Sequence, residues 1–158
     1  MTLKAQLVTA GAEKLADILS SIYEKNLELQ PQLDVIFAGL EDNPDRMVKL
    51  LKQKLSKFKR ARRYIDFFET EDLAADLKQL RLMIAEDLCK KAPDHAMKLM
   101  LEFLDLAQKT LDRTEDSGGL VAGVFFDACN DLGKICQHCS KTTEELVDLV
   151  FTRFIYDE

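Results

Sequence analysis

Apolar residues recur every three or four positions through almost all of this 158-residue chain, and only three prolines and six glycines interrupt them. A 3.6-residue period without any alternating β-branched run predicts an all-α fold. The interruptions divide the pattern into six or seven antiparallel helices with short loops. Such a set builds either a bundle or an irregular array of helix pairs of the HEAT or TPR kind. No repeat period is visible in the residues themselves. The length suits a single helical domain, residues 1–158, with a substantial core.

Helix by helix, the stripes are these. A first helix runs from about Gly11 to Lys25 on Leu15, Ile18, Leu19, Ile22 and Tyr23. A shorter one starts at Pro31, a favoured first position, and is expected to bury Leu33, Ile36, Phe37 and Leu40, forming a hairpin with the first. Asn43-Pro44 reads as an N-cap followed by proline, with Asp45 in the first turn. Thr70 is a possible cap for a helix reaching about Lys91 on Leu73, Leu77, Leu80, Ile84 and Leu88. The most apolar helix, about Asp94 to Asp112, has an arc so wide that it must be covered from two sides. Another runs from about Leu120 to His138. Thr142 and Glu145 form a capping box for a last one burying Leu146, Val147, Val150, Phe151 and Phe154. The sequence ends abruptly at Phe154-Ile155-Tyr156-Asp157-Glu158 without a capping glycine, so the chain is expected to be a fragment of a longer protein.

Charge is segregated along the chain. Arg46 to Arg63 contains nine cations and no acid, inside a chain of net charge -6, which leaves -15 for the rest. Wound as one helix, this stretch places Met47, Val48, Leu50, Leu51, Leu55 and Phe58 on one face and most of its cations on the other. Lys54 and Arg62 fall nearer the apolar side, where their stems can pack. Tyr64, Ile65, Phe67 and Phe68 follow as an aromatic joint. The bland account of the basic face is a solvated surface paired with Glu69, Glu71, Asp72, Asp76 or Glu115-Asp116. The functional account is a docking surface formed by Lys49, Lys52, Lys59, Arg60, Arg62, Arg63 and Tyr64, since arginine grips carboxylate or phosphate with paired donors and tyrosine stacks.

Other candidate chemistry is sparse. Cys129, Cys136, Cys139 and His138 include one C-x-x-C, but a second ligand pair is missing and a continuous helix would set the three thiols on the apolar face with Leu132 and Ile135. Core burial is therefore the expectation, with no metal and no cofactor. The loop from Asp112 to Gly119 alternates oxygen ligands, yet Ser117 and Gly123 stand where a calcium loop needs glycine and glutamate; Asp116 or Ser117 is better read as a cap. His95 stands alone, and neither a nucleophile elbow nor a phosphate loop is present. No catalytic residue is assigned and no enzyme activity is expected.

Two stretches, KRARRYIDFFETEDLAADLKQL from Lys59 and FLDLAQKTLDRTEDSGGLVAGVFFDACNDLGKI from Phe103, resemble an uncharacterised bacterial family of helical-repeat proteins, a domain of unknown function. The resemblance implies a helical fold within larger proteins, some beside a SWIM-type zinc finger that these residues do not contain. It assigns no activity to any position. The function expected is a non-catalytic helical interaction module whose basic face docks an acidic protein partner or another region of the same longer chain. Nucleic-acid backbone binding through that face is the alternative. Four cysteines without a disulfide pattern, no recognisable signal peptide and no apolar run near the roughly 20 residues of a membrane span point to the cytoplasm without membrane partners. Oligomeric state is left open.

Overall fold

The computed structural model describes residues 2–41 and 43–155, the side chains of 153–155 excepted. It is all-helical: α1 (Leu3–Ala10), α2 (Ala12–Lys25), α3 (Gln30–Leu40), α4 (Pro44–Arg60), α5 (Thr70–Leu82), a π-helical turn (Met83–Leu88) running into α6 (Cys89–Lys91), then α7 (Pro93–Leu104), α8 (Ala107–Leu111), α9 (Leu120–Cys136) and α10 (Thr143–Ile155). Among the described residues no strand forms and no helix is long and apolar enough to cross a membrane. The helices come in more and shorter pieces than six or seven. The rod from residue 70 to 91 passes through the π turn, and the apolar helix breaks after Leu104, so its expected continuation to Asp112 becomes α8.

The local signals act as their chemistry dictates at the starts of α4, α9 and α10. Asn43 accepts from the Asp45 amide at 3.0 Å with Pro44 in the first position. The Thr142 hydroxyl oxygen accepts from the Glu145 amide, and the Glu145 carboxylate from the Thr142 amide. Asp116 caps α9 by accepting from the amides of Val121 and Ala122 at 3.0 and 2.8 Å. Gly119, just before α9, has φ 67°, a left-handed conformation suited to glycine.

The core is centred on α7. Ala96, Met97, Leu99, Met100, Leu101, Phe103 and Leu104 are all buried, so the helix is covered from two sides as its wide arc requires. α9 lies against both α5 and α7, while α4 lies against α3 and α7. α4 contributes Met47, Leu51 and Leu55. α3 turns a different face inward than its stripe suggested: Val35 and Ala38 are buried, Leu33 and Phe37 are half-buried, and Ile36 and Leu40 are exposed. Val35 and Ala38 lie on the opposite side of the helix from Ile36 and Leu40, and it is their side that packs inward. α2 buries nothing, although Tyr23 ties it to α3 by donating to Asp34 at 3.1 Å. In α10, Leu146 and Val150 are half-buried, Val147 and Phe151 are exposed, and the expected burial of Phe154 lies outside the described side chains.

A regularity hidden in the sequence is visible in space. Lys91 donates to the Glu41 carbonyl, Lys109 to the Lys59 carbonyl, Arg113 to the Arg63 carbonyl, and Arg81 pairs with Asp131. Each link spans 50 residues.

Candidate basic docking site

The basic stretch does not fold as one helix. α4 ends at Arg60, and Ala61 is already extended at φ -63° and ψ 131°. Arg62, Arg63 and Tyr64 therefore leave the helix on which the sequence placed them. The cause is tertiary. The Ile65 amide donates to the Arg113 carbonyl at 2.8 Å, and the Ile65 carbonyl accepts from the Glu115 amide at 2.9 Å, an isolated parallel bridge between two loops. Both backbone groups of Ile65 are committed there, so the α-helix cannot run through this residue.

The loop beyond is well tied. Asp66 accepts from the amides of Phe68 and Glu69 at 2.9 and 3.1 Å. Thr70 does not cap α5 as expected. It is buried inside the first turn, and its hydroxyl lies 2.8 Å from the Asp66 carbonyl and 3.1 Å from that of Glu115. Thr70→Val should remove this donor and leave the carbonyls under-satisfied, at a cost of about 1–2 kcal/mol. A thermal melt of the purified variant checks it; an unchanged midpoint would show that the loop is held without the hydroxyl.

The seven expected docking residues divide three ways. Lys49, Lys52 and Lys59 are exposed and share one stripe of α4 with Ser56. Lys52, Ser56 and Lys59 form one wall of a cleft of about 500 Å³ whose floor is Leu55 and Leu106 and whose other wall carries Glu102, Asp105 and Lys109. Arg60 folds back to donate to the Ser56 carbonyl at 3.2 Å. Arg63 makes a two-pronged pair with Glu69 at 2.8 and 3.0 Å, which raises its already high pKa, and Tyr64 donates to Glu115 at 3.2 Å. Desolvation and the Glu115 carboxylate together raise the Tyr64 hydroxyl's pKa. Arg62, expected near the apolar face, is exposed instead. Among the described residues, the side chains of Lys49, Lys52, Lys59 and Arg62 have no hydrogen bond or ion pair.

Lys54 is half-buried, as its position near the apolar stripe suggested, and burial lowers its pKa while Asp76 opposes that shift. Lys109 and Ser56 escaped sequence reasoning because nothing in their own neighbourhoods marks them; they meet only across the cleft, where Lys109 donates to the Lys59 carbonyl. The aromatic joint differs more. Ile65 is buried, but Phe67 and Phe68 stand in solvent, Phe68 at 88% exposure, with their rings edge to face at 5.9 Å.

The remaining candidates are separate from this site. Cys136 and Cys139 are half-buried against the core, whereas Cys129, expected on the same apolar face, is exposed. Burial pushes the Cys139 thiol up to about 11, and no three His, Cys, Asp or Glu side chains among the described residues are placed to hold a metal ion. A larger cleft of about 570 Å³ lies between the π turn and α9, lined in part by Glu86, Cys89, Lys134 and His138, away from the basic stripe.

The sequence profile of a family of unknown function, DUF6880, matches residues 2–158. The chain belongs to that family. No curated protein and no solved structure matches it. DUF6880 membership therefore brings no activity or ligand to the cleft, and its chemistry rests on the residues above.

Proposed function

We propose that this DUF6880 chain is a non-catalytic helical interaction module that docks an acidic protein segment, from a partner or from another region of a longer chain, along the α4 wall of the cleft. Links that each join residues 50 apart support treating the fold as an irregular array of stacked helix pairs, whose concavities commonly take extended partners. One observation carries the assignment: Lys49, Lys52 and Lys59 line up on a single stripe with no internal partner, while Arg63 and Tyr64 are already engaged. Those free ammonium groups are where an incoming carboxylate gains most. The free thiols of Cys89, Cys129, Cys136 and Cys139 support a reducing compartment, the cytoplasm.

The test is a fluorescein-labelled, glutamate-rich synthetic peptide titrated at low salt and followed by anisotropy. Lys52→Glu, Lys59→Glu and Arg62→Glu together should weaken binding more than tenfold, about 1.4 kcal/mol or more, with helicity intact. Absence of binding by the parent chain, or equal binding by the variant, would remove the proposal.

A second reading has its own observation. Phe68, largely in solvent near unpaired Arg62 in sequence, offers a ring and a guanidinium on which bases could stack. Against it, Glu71 and Asp72 are exposed in the adjoining first turn of α5 and would repel phosphates. Labelled oligothymidylate in the same assay distinguishes the two: phosphate binding would be lost steeply as salt rises, and the acidic-segment reading expects the peptide to bind the more tightly.

A further inference from the structure

Two helices, α2 and α10, leave apolar side chains exposed, and these are bordered by opposite charges. α2 carries Leu15, Ile18, Leu19 and Ile22 on one stripe, yet it buries no residue, and the last three are 37–40% exposed. A helix of 14 residues is marginal in water unless its apolar face is covered. At about 100° per residue, Lys14 and Lys25 fall on the same border of that stripe, while Glu13, Asp17 and Glu24 point to the far side. At the other end, α10 exposes Val147 and Phe151, at 53% and 56%, and Glu144 and Asp148 border them. None of Lys14, Lys25, Glu144 and Asp148 has an ion pair or hydrogen bond among the described residues.

An apolar helix face left in water gains when a second surface covers it. A symmetric antiparallel pairing of α2 with a second α2 would bring its lysine border against the same lysines. Pairing α10 with α10 would set carboxylates against carboxylates. Pairing α2 with α10 in parallel puts apolar stripe on apolar stripe and lysine beside carboxylate. We propose that α2 of one copy docks on α10 of a second copy, a contact between two unlike faces of the same chain. Such a contact is heterologous, so it leaves one open end on each side and can propagate or close into a ring.

The test uses the 158-residue chain in sedimentation velocity and light scattering over two decades of protein concentration. The parent should rise from the 18.0 kDa monomer through the dimer to larger species. Ile18→Glu with Ile22→Glu blocks one end, and Val147→Glu with Phe151→Glu blocks the other. Each variant alone should stay monomeric, and an equimolar mixture should form a one-to-one dimer and nothing larger, because one open end of each kind remains. Circular dichroism confirms that both are helical.

Should the apolar variants misfold, surface charges carry the test alone. Lys14→Glu with Lys25→Glu should weaken assembly at least tenfold. Adding a chain with Glu144→Lys and Asp148→Lys should restore it. A parent that stays at 18.0 kDa throughout, a mixture that stays monomeric while both variants are folded, or a charge swap without rescue would overturn the proposal.

Discussion

Asp131→Ala should lower the unfolding free energy by about 3–5 kcal/mol, among the largest losses a single substitution can produce in this chain. Arg81 on α5 and Asp131 on α9 are both buried, with the Arg81 Nη1 joined to the Asp131 carboxylate. Lys134 reaches the other carboxylate oxygen at 3.1 Å, and the Arg81 Nη2 lies 3.5 Å from Asp127, whose side chain is open to solvent. The Arg81 Nε is buried without a partner, so this guanidinium is already incompletely satisfied. Taking away its main counter-charge would strand a cation among apolar helices, where water cannot replace the lost bond. Urea denaturation of both proteins measures the difference. Arg81→Met combined with Asp131→Leu should recover most of it, because removing both charges also removes their desolvation cost. A double variant as unstable as Asp131→Ala would show that shape, and not charge, is what the pair supplies.

That pair also shows where sequence reasoning stops. The apolar periodicity of Leu73, Leu77, Leu80, Ile84 and Leu88 identifies a helix and its inner face, but Arg81 within that span reads as a surface cation until α9 brings Asp131 to it. The 50-residue spacing is obscured for a related reason. Three of its links end on backbone carbonyls, those of Glu41, Lys59 and Arg63, and a carbonyl acceptor places no demand on the side chain of its own residue.

The candidate site was legible as a composition and not as a shape. Lys49, Lys52 and Lys59 sit on the helical stripe their spacing dictates. Nothing between Ala61 and Tyr64 carries a glycine or proline stop signal, however, and the helix ends there because Ile65 is claimed by Arg113 and Glu115, some 50 residues away. Thr70 misled in an instructive way: threonine followed by two acids is a genuine cap signal, but its hydroxyl serves better as a donor once a second loop supplies the Glu115 carbonyl. Local chemistry thus predicted which residues could form hydrogen bonds, and packing chose the partners. α2 is the complementary case, since its stripe was correctly located while the fold covers it only in part.

Phe103→Ala should cost about 3–5 kcal/mol, comparable to the loss at Asp131 but for a different reason. Phe103 is fully buried in α7, its ring 5.2 Å from that of Phe125 on α9, tilted by 38°. Its neighbours Met97, Met100, Leu101 and Leu104 are themselves buried, and α7 is enclosed on both sides, so little can move in to fill the void. Phe103→Leu leaves a smaller void and should cost less than the alanine change, which makes the pair a measure of cavity size. The same comparison separates the fold from the proposed function. Phe103 lies beside Glu102 in sequence but does not line the cleft. Folded Phe103→Leu should bind the glutamate-rich peptide within about twofold of the parent, a difference of roughly 0.4 kcal/mol, despite its lower unfolding midpoint. The Lys52, Lys59 and Arg62 reversal should show the opposite pattern, unchanged stability with lost binding, because exposed charges contribute little to folding and most to recognition. If the two variants lost peptide affinity in parallel with their stability, the cleft would be reporting on the core and not on its own lysines.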